Sequence, residues 1–99
     1  MNEENVAIPV AGELFRFGQV AITAAAMQAL TPDTVAEALS RHAKGDWGTV
    51  CKEDWEANDW ALSEVGGLLS TYQATDQTVF WIITEWNRDV TTILLPSDY

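Results

Sequence analysis

Three short runs in the last third of the chain constrain its fold more than any other feature. Leu68–Ala74, Thr78–Thr84 and Val90–Leu95 are dense in β-branched and aromatic residues, the side chains that suit a pleated surface. The connections between them, Thr75-Asp76-Gln77 and Glu85–Asp89, are short enough to demand hairpin returns, so the runs form an antiparallel meander. Within the middle run, Val79-Phe80-Trp81-Ile82-Ile83 is apolar on both faces, as expected of a central strand covered from both sides.

Upstream the period becomes helical. Thr31-Pro32-Asp33 is a helix start, with a hydroxyl at the N-cap, Pro32 at the first helical position and Asp33 in the positive first turn. The helix runs to Lys44, with Gly45 just past its end. At about 100° per residue, Val35, Ala38, Leu39 and His42 share one face, and Asp33, Glu37, Arg41 and Lys44 the other. Glu37 and Arg41 stand as an i,i+4 pair of the favoured polarity. Before it, Thr23 caps a shorter alanine-rich helix through Leu30. After it, Asp46-Trp47-Gly48 forms a turn, and a further helix covers Cys51 to Val65, ended by Gly66-Gly67.

On that last helix Cys51, Trp55, Asn58, Leu62 and Val65 share the inward face, with Cys51 an inert small hydrophobe. Trp60 falls opposite, among Glu53, Glu56 and Glu64. Near the N-terminus, Glu13 to Phe17 alternates with Phe15 and Phe17 on one side, the pattern of a short strand. The expected fold is α+β: an N-terminal short strand and two to three helices packed on a three-stranded antiparallel meander over residues 68–95, which the early strand can extend. Residues 13–99 make one domain, and residues 1–12, mixing acids with Pro9 and Gly12, make a flexible acidic arm.

Charge narrows the partners. Fifteen Asp and Glu against five Lys and Arg leave a formal net charge of −10 on 99 residues. Such a surface repels phosphate backbones and anionic membranes, which disfavours direct contact with nucleic acid or lipid. It favours a basic protein surface approached under electrostatic steering, although acidity also serves plain solubility. No apolar run approaches the roughly 20 residues that cross a bilayer. The N-terminal Met-Asn-Glu-Glu-Asn is acidic where a secretory signal is basic, so a cytoplasmic setting is expected. Cys51 is the single cysteine and has no partner for an internal disulfide.

Candidate chemistry is sparse. His42 lies on an apolar stripe, where a lone histidine is a structural residue, and its expected role is to bond the backbone of the Asp46-Trp47 turn. Asp46 is placed to close an Asx-turn. The rival is a small hydrolase or nuclease using His42, Asp46 and Cys51 in acid–base or thiol chemistry. No nucleophile elbow, phosphate-cradling glycine loop or HExxH pattern accompanies them, and one Cys with one His does not complete a structural zinc site. Asp46, Glu53, Asp54, Glu56, Asp59 and Glu64 lack calcium-loop spacing, and a helix spreads them about its axis. No catalytic residue, metal ligand or cofactor is assigned. An indole on a charged face is the stronger signal: Trp60, and Trp86 in the turn before Asn87-Arg88, supply large rigid contact area at low entropic cost.

Arg41-His42-Ala43-Lys44-Gly45-Asp46-Trp47-Gly48 resembles the RHxxGDWG signature of a family of small proteins encoded on plasmids, integrative elements and prophages. The likeness continues through Glu53-Asp54, Asn58-Asp59, Leu68-Leu69-Ser70, Trp81-Ile82-Ile83-Thr84-Glu85, Arg88 and Thr91-Thr92-Ile93-Leu94-Leu95-Pro96. It covers roughly the last sixty residues. The family carries no established activity, so the resemblance transfers no catalytic residue; it implies a mobile-element setting, where small acidic proteins often disarm host defence. The family pattern has small or polar residues where this chain has Trp55, Trp60 and Trp86. The expectation is therefore a non-enzymatic inhibitor or adaptor that binds a basic surface of a nucleic-acid-handling defence complex, such as a CRISPR effector or a restriction complex. Glu53, Glu56 and Glu64 would supply charge, and Trp60 and Trp86 apolar anchors. A structural homodimer of the element, joined through a sheet edge, is the other alternative.

Overall fold

A computed structural model describes residues 12–99. The proposed arm therefore lies, but for Gly12, outside the described residues. In chain order the elements are strand β1 (Gln19–Ile22), helices α1 (Ala24–Ala29), α2 (Pro32–Ala43) and α3 (Lys52–Ser63), then strands β2 (Leu68–Gln73), β3 (Val79–Thr84) and β4 (Val90–Leu94). A single 3₁₀ turn, Pro96–Asp98, follows β4.

The α+β class is as expected, and the meander pairs in register, with Leu68 opposite Thr84 and Thr84 opposite Thr91. The sheet has four strands rather than three and is mixed: its order is β1-β4-β3-β2, and β1 runs parallel to β4. The early strand is Gln19–Ile22, not Glu13–Phe17. Phe15 and Phe17 do turn the same way, with ring centroids 5.7 Å apart, but they pack as a loop against α2 and the core. Alternation here reports burial and not strand pairing. Pairing begins only after Gly18, at φ +67°, lays its backbone against the β3–β4 turn, where a Cβ would fall 2.3 Å from the Asp89 carbonyl oxygen. The next amide, Gln19 N–H, donates to that same carbonyl at 2.8 Å.

Local chemistry explains the helices. Thr23 and Thr31 hydroxyls accept from the Ala26 and Thr34 amides, satisfying donors that each helix leaves open. Pro32 sits in the first turn of α2, and Lys44 with Gly45, at φ +81°, ends it. Helix α3 stops at Ser63, two residues short of Val65, which is left 70% exposed. Cys51 is the exposed N-cap of α3 and does not face inward as its helical projection implied. Trp55 and Leu62 are half-buried against a cluster of Trp47, Ala61 and Leu68. The larger core joins Phe17, Ala26, Leu30, Ala38, Leu39 and Ala43 to Tyr72, Phe80, Ile82 and Ile93 of the sheet. Coverage of β3 is one-sided: Phe80, Ile82 and Thr84 are buried beneath the helices, whereas Trp81 and Ile83 are half-buried on the other face and Val79 is exposed. Tyr99 covers part of that face, its ring edge-on to Trp81 at 5.6 Å.

The two sheet edges differ. On β2, the Asn58 amide of α3 accepts from Leu69 N–H (3.2 Å) and donates to Leu69 C=O (2.8 Å), acting as one residue of an extra strand. Two residues along, Thr71 N–H donates to Trp47 C=O (3.1 Å) and Thr71 C=O accepts from Thr49 N–H (2.8 Å). Gly48 bridges between them at φ +77°, and a Cβ there would lie 1.9 Å from the Thr71 oxygen. This edge is therefore closed against further pairing. Gly48→Ala is expected to cost at least about 3 kcal/mol, since a left-handed backbone and a direct overlap add. Urea denaturation measures it, and a loss under about 1 kcal/mol would sink this account of the edge.

Candidate functional site

The signature segment resolves into scaffold. Arg41 pairs with Asp46, Nε to Oδ2 at 2.8 Å and Nη2 to Oδ1 at 3.3 Å, and not with Glu37 as the helical spacing implied. The fork geometry of the guanidinium wins, because Asp46 lies just beyond the helix end and its backbone N–H already donates to Arg41 C=O at 2.9 Å. Both side chains are over two-fifths exposed, so the pair contributes at most about 1 kcal/mol. Asp46 Oδ1 also accepts from Gly48 N–H, the anticipated Asx-turn. Bonding to Arg41 holds the Asp46 carboxyl below its usual range. Tyr72 OH donates to Asp46 C=O at 2.6 Å, and the Arg41 guanidinium lies 4.7 Å from the Tyr72 ring centre. Trp47, fully buried, donates its indole N–H to Asp59 at 3.0 Å.

His42 is buried, but its partners are not the Asp46-Trp47 turn. Nδ1 lies 2.5 Å from Ser70 Oγ, and Nε2 lies 2.9 Å from Thr84 Oγ1. Thr84 Oγ1 is 2.8 Å from Thr91 Oγ1, which donates to Phe17 C=O at 2.8 Å. Proton counting orients the whole series. Thr91 gives its one proton to Phe17, so Thr84 donates to Thr91 and must accept from His42 Nε2–H; Nδ1 is then the acceptor for Ser70. Phe15, Phe17 and Trp47 surround the ring at centroid distances of 5.2, 6.0 and 5.4 Å. Burial, aided by the charge of Arg88, pushes the His42 pKa down to about 3. The imidazole is neutral at any physiological pH.

The three residues of the enzymatic alternative are thus engaged separately: both His42 nitrogens face hydroxyls, Asp46 holds Arg41, and Cys51 is an exposed helix cap. Among the described residues, no three His, Cys, Asp or Glu side chains converge as a cation site.

The tryptophans of the proposed face lie in water. Trp60 is 61% and Trp86 63% exposed, and Glu53, Glu56 and Glu64 are exposed as well. Val65, which projection placed inward, joins them because α3 ends before it. Arg88 draws their two chain segments together. Its Nη2 donates to Ala61 C=O (2.9 Å) and its Nη1 to Gly66 C=O (2.8 Å), both at the end of α3. The same Nη1 reaches Glu85 and Trp86 carbonyls at 3.2 and 3.3 Å. One guanidinium thereby fastens the Trp86 turn to the residue that follows Trp60. The sequence carries one trace of this: an arginine in a short hairpin turn, where its φ of +62° is unusual for a side-chain-bearing residue.

No protein family, curated protein or solved structure matches the chain.

Two predictions follow from these contacts. His42 is the single histidine, so its ring signals in NMR are unambiguous. They are expected to show the Nε2–H tautomer and no titration between pH 8 and pH 5. Because the folded pKa lies below the ordinary 6.5, the unfolded chain binds the proton first. The stability this group contributes is whole above about pH 6.5 and falls by about 1.4 kcal/mol per pH unit as pH drops toward 3. A ring titrating near pH 6.5 in the folded protein would refute the assignment. Separately, Arg88→Ala is expected to lower stability by about 2 kcal/mol and to speed hydrogen exchange in the 85–88 turn, with Arg88→Lys failing to restore it. Unaltered exchange there would show that Arg88 is not the fastener.

Proposed function

We propose that the protein is a non-enzymatic interaction module whose working surface is Trp60, Val65 and Trp86 set among Glu53, Glu56 and Glu64. The exposure of both indoles, on segments tied to one guanidinium, is the observation that carries this reading. Leaving such area in water is unfavourable, and two exposed tryptophans amid carboxylates have the composition of a hot spot with a charged rim. The net charge of −10 selects a basic partner and steers its approach.

The partner class follows from that chemistry together with the resemblance noted above. A surface built to hold nucleic acid is basic and aromatic-lined, and spaced carboxylates with indoles can occupy it in place of phosphates and bases. We therefore assign the module to inhibition of a host nucleic-acid-handling defence complex, a CRISPR effector or a restriction complex, acting in the cytoplasm without binding nucleic acid or membrane itself. No helix among the described residues is long and apolar enough to cross a membrane.

The test is a pull-down against purified CRISPR effectors and restriction complexes, followed by titration of whichever is retained. Trp60→Ala and Trp86→Ala are each expected to weaken binding about thirtyfold, the scale of a hot-spot residue. Charge reversal at Glu53 and Glu56 is expected to slow association and flatten its salt dependence. Binding indifferent to both tryptophans would remove the face, and binding indifferent to charge reversal would remove the electrostatic part.

A further inference from the structure

The β1 edge is the counterpart that β2 lacks. In the parallel pairing with β4, Gln19 N–H bonds Asp89 C=O and Thr23 N–H bonds Ile93 C=O. The residues between alternate, so Val20 and Ile22 turn their N–H and C=O groups away from the sheet, and no partner for them is found among the described residues. The side chains of Val20 and Ile22 lie in register with Thr91 and Ile93, on the helix side, yet Val20 is 38% exposed, with no strand beyond it among the described residues. Beside this edge Ile22, Met27, Leu30, Val35 and Ala36 line an open apolar groove of about 330 Å³ between β1 and the first two helices. Met27 is 61% exposed within it.

Open main-chain groups beside an apolar groove are the two requirements for strand addition: the ladder supplies affinity, and alternate side chains entering the groove supply selectivity. We propose that β1 receives an extended segment of another protein, apolar at alternate positions with Lys or Arg between them. Charge selects this occupant. The groove lining carries no charge of its own, Asp33 and Glu37 stand exposed on α2 outside that lining, and the whole chain carries −10. A second copy would bring another −10 to the same edge, and the like charges oppose that pairing. This surface is separate from the Trp60–Trp86 face, so either proposal can fail alone.

The experiment is an NMR titration of the full chain with a capped Lys-Val-Lys-Val-Lys-Val-Lys peptide, and with its Glu-Val counterpart as control. The lysine peptide is expected to shift the Val20 and Ile22 amides and the Met27 methyl, while the glutamate peptide leaves them in place. Val20→Pro deletes one outward N–H without touching the bonds to β4, and Ala36→Lys sets a like charge in the groove wall. Each is expected to weaken the lysine peptide at least fivefold, with unchanged His42 ring signals verifying the fold. Shifts confined to Trp60 and Trp86, equal response to both peptides, or equal affinity of both variants would overturn the proposal. So would Val20 and Ile22 amides already protected from exchange without peptide, or shifts that follow protein concentration alone, since the edge is then occupied by the chain itself or by a second copy.

Discussion

A neutral, fully buried imidazole is the constraint around which the rest of this molecule is arranged. His42 stands on α2, yet its hydrogen bonds and those they orient reach β2 through Ser70, β3 through Thr84, β4 through Thr91 and the lead-in to β1 through Phe17. Thr84 and Thr91 each give one proton and receive one, and Ser70 gives its proton to the ring, so both ring nitrogens and all three hydroxyl protons are bonded. A protonated ring would arrive with two donors and have to turn Ser70 around in a site closed to solvent. Neutrality in turn requires a lid, which Phe15, Phe17 and Trp47 provide from both sides in sequence. The lid recruits its own supports. Trp47 is placed by Asp59 of α3, and α3 by the Asn58 amide on β2. The position of the Trp60 face is thus the far end of a chain of contacts beginning at a buried histidine.

Edge protection follows the same division. Everything that closes β2 comes from the Trp47 turn and from α3, the elements that also serve the lid. Among the described residues nothing of that kind reaches β1, whose Gln-Val-Ala-Ile carries neither a charge nor a proline, the usual defences of an exposed edge. Its shortness and the repulsion between highly acidic copies remain as its protection against self-pairing. Those two devices discourage another copy of the chain while leaving the edge accessible to a cationic strand.

What could be read from the sequence was whatever short-range chemistry decides. Thr23, Thr31 and Pro32 set helix starts through bonds spanning three residues, and β-branched runs with brief returns set the meander. Local pattern and structure part where a longer-range contact competes. Phe15 and Phe17 alternate like a strand because both bury against His42, while pairing waits for Gly18 to reach Asp89. Arg41 had a well-spaced helical neighbour in Glu37 but met a better-oriented carboxylate in Asp46. Cys51 and Val65 shared an angular position with the core, but the helix covers neither, and angular position means little beyond the last turn. Ser70 and Thr84 lie 28 and 42 residues from His42, so no window around the histidine contains its partners.

The eight residues from Arg41 to Gly48 show why a conspicuous sequence signature need not mark a working site. Arg41 and Asp46 lock each other and the turn, His42 orders the hydroxyl series, Gly45 ends α2, Trp47 seals the lid, and Gly48 admits Thr71. Each of these contacts is made within the chain, although Arg41 and Asp46 remain over two-fifths exposed. Trp60 and Trp86 are the reverse case: Arg88 holds the Trp86 carbonyl and that of Ala61, the residue after Trp60, while both indoles are left in water. Fastening by main-chain carbonyls is indifferent to side-chain identity. Residues at those two positions can therefore change without loosening the fold, which is the freedom a surface needs to be fitted to a particular partner while its scaffold stays the same.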